Sequence, residues 1–125
     1  MKNKDLTEQI IKIFYKVYNT LGYGFLERVY ESAMMIEFRK GNVPAVSQDP
    51  IKVFYEDEII GEYFVDILVD RKVIVEIKAT KNLIIDHEAQ LLNFLKATDI
   101  EVGLLLNFGP EPEIKRKVFD NYRKY

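Results

Sequence analysis

The chain has no cysteine, so disulfide bonds and thiolate-held metals are both excluded. Its one histidine, His87, rules out a histidine-rich zinc site. A bound metal would therefore rest mainly on oxygen ligands, the preference of magnesium, manganese and calcium. No apolar run approaches the ~20 residues that cross a bilayer, so no membrane partner is expected. The opening Met1-Lys2-Asn3-Lys4-Asp5 turns at once into an amphipathic pattern, without the apolar core of a secretory signal. A cytoplasmic location is the expectation. Excess positive charge is also missing. The formal net charge is −2, whereas proteins that coat themselves in nucleic acid are usually basic. Tight nonspecific binding to a polyanion is thus disfavoured, although a local basic patch could still meet one.

What remains is enough apolar sequence for a real core: 48% of 125 residues, read as a single domain over residues 1–125. Residues 6–21 carry Leu6, Ile10, Ile13, Phe14, Val17 and Leu21 at helical spacing, with Asp5 or Thr7 as the expected cap. Gly22-Tyr23-Gly24 breaks that pattern. A second helix is predicted over 25–40, with Leu26, Val29, Ala33 and Ile36 inward and Gly41 at its end. The period then changes to that of strands, over 48–56, 59–70 and 72–80. A helix follows over 86–98, with Ala89, Leu92 and Leu95 on its inner side. A buried strand is predicted over 101–108, where Val102-Gly103-Leu104-Leu105-Leu106 is nearly continuous apolar sequence. The tail from 113 reads as a strand with a frayed end. Three strands joined by short turns predict an antiparallel meander, and the helix before the last strand predicts a parallel crossover. The fold class is therefore α/β (α+β), a mixed sheet with helices packed on its faces.

Two of these strands hold charge where a core strand should be apolar. Asp66 lies within Tyr63-Phe64-Val65-Asp66-Ile67-Leu68-Val69, and Glu76 and Lys78 within Val73-Ile74-Val75-Glu76-Ile77-Lys78-Ala79. Such a charge costs several kcal/mol unless something pairs with it. The economical partner for two convergent carboxylates is a divalent cation. Parity sets a condition. If Asp70, Arg71 and Lys72 form a three-residue loop, Val69 pairs with Val73 and Asp66 falls opposite Glu76; a two-residue loop would part them. Metal-assisted phosphodiester hydrolysis would use such a set, with a lysine to orient water or offset phosphate charge. The plainer reading makes Glu76 and Lys78 surface residues of a half-exposed strand. On chemistry alone the two stand level.

Asp66 followed by Glu76-Ile77-Lys78, in helix–helix–meander–helix–strand order, resembles the PD-(D/E)XK nuclease superfamily. Gly24-Phe25-Leu26-Glu27-Arg28-Val29-Tyr30 resembles the signature of the GxxExxY family within it. The similarity runs on through Gln48-Asp49-Pro50-Ile51, His87-Glu88-Ala89-Gln90-Leu91-Leu92-Asn93 and Gly103-Leu104-Leu105-Leu106-Asn107-Phe108-Gly109. The resemblance implies a restriction-endonuclease-like core and a nuclease using Mg2+ or Mn2+ on nucleic acid, DNA foremost. It implies Glu27, Asp66 and Glu76 as metal ligands, Lys78 as the catalytic lysine, and Gln90 as the glutamine of the following helix. Two positions depart from the pattern: Phe94 stands where a tyrosine often follows the glutamine, and Val65 replaces the proline before the aspartate.

Other residues have plainer alternatives. His87 is either a supporting base or a first-turn helix residue near solvent. Tyr30 is core, or a brace for Glu27. Lys115, Arg116 and Lys117 are either a solvated tail or phosphate contacts. A non-catalytic module that keeps the fold and binds nucleic acid or protein is the competing function. The small, acidic chain could need a homodimer or protein partner to hold its substrate.

Overall fold

The computed structural model describes residues 2–124. Helix α1 spans Lys4–Leu21 and α2 spans Glu27–Lys40. Strands β1 (Ala45–Tyr55), β2 (Glu58–Val69) and β3 (Val73–Lys78) follow, then α3 (Ile85–Lys96), β4 (Val102–Phe108) and β5 (Pro112–Val118). A 3-10 turn at Asn121–Lys124 takes the place of the expected frayed end. The strands form one sheet in the order β1-β2-β3-β4-β5, with β3 and β4 parallel and the other neighbours antiparallel. The meander and the crossover are both as predicted. Among the described residues no helix is long and apolar enough to cross a membrane.

Each face of the sheet carries its own core. Helices α1 and α2 cover one face, packing Ile10, Phe14, Tyr30, Met34 and Phe38 against Ile67, Val75, Leu104 and Phe108. Helix α3 covers the other, with Leu91, Phe94 and Leu95 against Val65, Leu68, Ile74 and Leu105. All of β4 is buried, as its unbroken apolar sequence requires. Gly103 lets α3 approach closely, since a Cβ there would lie 2.6 Å from Leu91 Cδ1.

Three helix details differ from expectation. The residue before α1 is Asn3, in a left-handed conformation without a side-chain cap. Thr7 is buried within the helix, its hydroxyl donating to the Lys4 carbonyl. On α2 the buried stripe is Tyr30, Met34 and Phe38, while Leu26, Val29 and Ile36 are exposed. On α3 it is Leu91, Phe94 and Leu95, with Ala89 exposed. Both helices hold apolar residues on more than one side, and the stripe that wins is the one facing the large β4 side chains.

The β1–β2 hairpin turns through Glu56 and Asp57, both at positive φ (49° and 67°). Asparagine and glycine are the residues that hold such a pair of conformations most cheaply. Glu56→Asn with Asp57→Gly should therefore stabilise the chain by about 1 kcal/mol, raising the melting temperature by a few degrees. Thermal unfolding followed by circular dichroism checks this, and a lower melting temperature would contradict it.

Candidate active site

The loop of Asp70, Arg71 and Lys72 fixes the β2–β3 register as Val69↔Val73, Leu68↔Ile74 and Ile67↔Val75. Asp70 and Arg71 both turn through positive φ to make it. One step further, where Asp66 comes opposite Glu76, the ladder stops. Strand β3 goes on pairing with β4 as far as Lys78↔Asn107, while β2 continues only with β1. The two carboxylates fill the opening. Glu76 Oε2 accepts the Asp66 N–H at 2.7 Å, and Asp66 Oδ2 accepts the Ile77 N–H at 2.7 Å. Side chains thus take the hydrogen bonds that main-chain carbonyls would have taken. Val65 and Leu68 both pack on the α3 side, so the alternation of β2 is broken across Asp66.

This arrangement is electrostatically costly. Glu76 is only 6% exposed. Burial pushes its carboxyl up to about 8, and the neighbouring Asp66 charge adds to that, against the pull of the Asp66 N–H and of Lys78. Asp66 is raised by burial as well, opposed by the Ile77 N–H, Lys78 and Gln48. Two carboxylates so placed resist ionising together. Lys78, two residues beyond Glu76 on the same strand, is the cation nearest both in effect; it favours their charged forms.

Of the residues the sequence analysis assigned to the site, the structure joins Asp66, Glu76 and Lys78. Glu27 is the first residue of α2 and is exposed. Among the described residues, no three His, Cys, Asp or Glu side chains are grouped so as to hold a metal ion. One helical turn after Glu27, however, Glu31 is near enough for the Asp66 charge to act on it. Its carboxylate accepts from Gln48 Nε2 at 3.0 and 3.2 Å. Burial raises its proton affinity, and the Asp66 and Glu27 charges raise it further. Glu31 and Gln48 were not singled out by sequence, although Glu31 sits at i+4 from Glu27, the spacing of one helical face.

Gln90 is exposed on α3, away from any hydrogen bond to the pair. It lines a groove of about 860 Å³ between α3 and the β1–β2 hairpin, with Lys52, Tyr63, Asn93 and Phe94. His87 Nδ1 accepts the Ile84 N–H at 3.2 Å and so caps α3. Tyr30 is fully buried; its hydroxyl donates to the Gly22 carbonyl and accepts the Phe25 N–H. It braces the turn that leads into Glu27. In the basic segment, Lys117 pairs with Glu88 at 2.7 Å and Arg116 donates to the Lys2 carbonyl, which leaves Lys115 exposed. The whole segment is strand β5, paired with β4 along its length.

The pair fits a hard cation. Its available donors are oxygen only, and a divalent charge would let both buried carboxylates ionise together. Each carboxylate gives one oxygen to a backbone N–H and keeps a second for a metal.

The family model of the PD-(D/E)XK nuclease superfamily matches residues 4–117. No curated protein matches the chain. Among solved structures, one titled "Crystal structure of SSO0001" superposes with a TM-score of 0.61 at 17% identity, over 75% of this chain and 50% of that one. This chain thus spans half the length of that one, and at such identity the likeness concerns the fold alone.

Proposed function

Because this chain belongs to the PD-(D/E)XK nuclease superfamily, we propose that it hydrolyses phosphodiester bonds of nucleic acid, DNA in particular, with Mg2+ or Mn2+ at Asp66 and Glu76. The spacing of Gly24, Glu27 and Tyr30 supports, within that superfamily, the GxxExxY family. The observation that carries the reading is the reciprocal carboxylate pair in the opened ladder, with Lys78 beside it. A bound divalent cation supplies charge for the phosphate and a more acidic water. Asp66 and Glu76 hold it, and their hydrogen bonds to Ile77 and Asp66 N–H fix their orientation. Lys78 orients the attacking water or offsets charge on the phosphate. Gln90 lines the groove between α3 and the β1–β2 hairpin, where a nucleotide would lie. Among the described residues Lys115 is the exposed cation of the basic segment, and it would contact phosphate at the edge. A homodimer or protein partner supplies the positive surface that a net charge of −2 lacks.

A binding module without cleavage is the second reading, favoured by the exposure of Glu27 and the acidic balance. Single-stranded, double-stranded and branched DNA and RNA, incubated with Mg2+ or Mn2+, decide between them. The nuclease reading expects cleavage that a chelator stops and that Glu76→Ala lacks. No metal-dependent cleavage of any of these would leave the binding module.

A further inference from the structure

Just past Lys78 the chain leaves the sheet. The β3–β4 ladder ends at Lys78↔Asn107, and residues 79–84 cross to the start of α3. Strand β4 is otherwise built of Gly103 and apolar residues, yet Asn107 is fully buried in it. A leucine there would leave no amide to satisfy. The amide is instead put to use. Its Oδ1 accepts the Thr80 N–H at 3.0 Å, and its Nδ2 donates to the Thr80 carbonyl and to Glu113 Oε1, both at 2.9 Å. Only one orientation of the amide satisfies all three bonds. The side chain thus gives Thr80 the two bonds that a further ladder residue would have given. Glu113 Oε1 also accepts the Leu83 N–H at 3.2 Å, so it holds the far end of the same segment. The β4–β5 turn is shaped around this contact. A Cβ on Gly109 would run into the Thr80 carbonyl oxygen and crowd the Asn107 amide. From α1, the Tyr18 hydroxyl donates to the carbonyls of Gly109 and Pro110 at 2.7 and 2.9 Å.

We propose that Asn107 and Glu113 are positioning residues for Lys78: together they clamp residues 80–83 and so fix the end of β3 that carries the lysine. The inference rests on the nuclease reading above, in which Lys78 acts on water or phosphate. A lysine ammonium rides on a flexible four-carbon stem, and a misplacement of about 1 Å can cost ~100-fold in rate. Lys78 is the last residue of its strand, where a ladder would otherwise be free to fray. The clamp closes that end two residues on, at Thr80. Glu113 serves it as an acceptor of two N–H groups, a task that needs an oxygen and not a charge.

A double-mutant cycle with Lys78 separates positioning from folding. Wild type, Glu113→Ala, Lys78→Ala and the double variant are compared on the DNA that wild type cleaves with Mg2+. Glu113→Ala should lower kcat ~10–100-fold with KM little changed, and Glu113→Gln, which keeps the accepting oxygen, should restore it. In the Lys78→Ala background Glu113→Ala should cost no more than about twofold, because the group it positions is already gone. Asn107→Asp keeps the oxygen for the Thr80 N–H but loses both donated bonds, and it should match Glu113→Ala. Equal losses in the two backgrounds, or a Glu113→Ala that cleaves like wild type, would overturn the proposal and leave the nuclease reading standing. If Glu113→Ala and Asn107→Asp both melt far below wild type, the clamp serves the fold and the proposal is wrong. A wild type that cleaves nothing overturns both readings.

Discussion

In a metal-free buffer at pH 8.5, Glu76→Gln should unfold at a clearly higher temperature than wild type, and near pH 5 the two should nearly coincide. The folded-state carboxyl of Glu76 is raised from an ordinary 4.5 to about 8, chiefly by burial and then by Asp66. A raised acid contributes stability that is fully present below its unfolded value and is lost as pH climbs through the folded one. The window is therefore about 4.5 to 8, and wild type should weaken across it by on the order of a few kcal/mol. Asp66 is shifted in the same direction and begins the decline at lower pH. Glutamine keeps an oxygen for the Asp66 N–H, now held at 2.7 Å by Glu76 Oε2, and carries no charge to bury. Its profile should be flatter. Melting curves from pH 5 to 9 check this. A variant less stable than wild type at pH 8.5 would show that Glu76 is stabilised as an anion by something other than a metal.

Lys78→Ala should part binding from chemistry. The lysine pulls both carboxylates toward ionisation, and it is not itself a ligand. Removing it should leave the Mn2+-induced rise in melting temperature intact or larger, because one positive charge no longer competes with the cation. Cleavage should fall ~100–1000-fold, the scale of a lost electrostatic contact to the transition state. Asp66→Ala should lose both properties. If Lys78→Ala cleaves like wild type, Lys78 serves only to stabilise its strand. Truncation before Lys115 cannot test the basic residues, because it removes β5 from the sheet.

The sheet was legible because strand periodicity is rigid. Once Val69 and Val73 are paired across a three-residue loop, every later residue has only one place, and Asp66 meets Glu76 by counting. Helix faces were harder. Tyr30, Met34 and Phe38 recur at i+4, but Leu26, Val29 and Ile36 offer a stripe as good on spacing alone, and only the position of Phe108 decides between them. The hydrogen-bonded place of Glu31 was hidden for a different reason. Its partner Gln48 is remote in sequence, and the contact depends on a left-handed backbone that glutamine seldom adopts. The charges of β5 behaved likewise: Lys117 and Arg116 read as free until Glu88 and Lys2 are brought alongside. Composition limits any metal ligands mainly to oxygen, since no cysteine and a single histidine leave little else. That histidine became a helix cap because the N–H of Ile84 lies within its reach at the start of α3.

The central claim is that the buried pair Asp66–Glu76 is a divalent-cation site. Thermal unfolding at pH 7.5 across a Mn2+ titration, for wild type and Glu76→Gln side by side, tests it most directly. A cation bound only by the folded chain stabilises it by about 2.7 kcal/mol at one hundred times the dissociation constant, or roughly 10 °C for a chain of this size. Wild type should show that rise and Glu76→Gln should not. Equal curves for the two proteins, whether both flat or both rising, would contradict the claim.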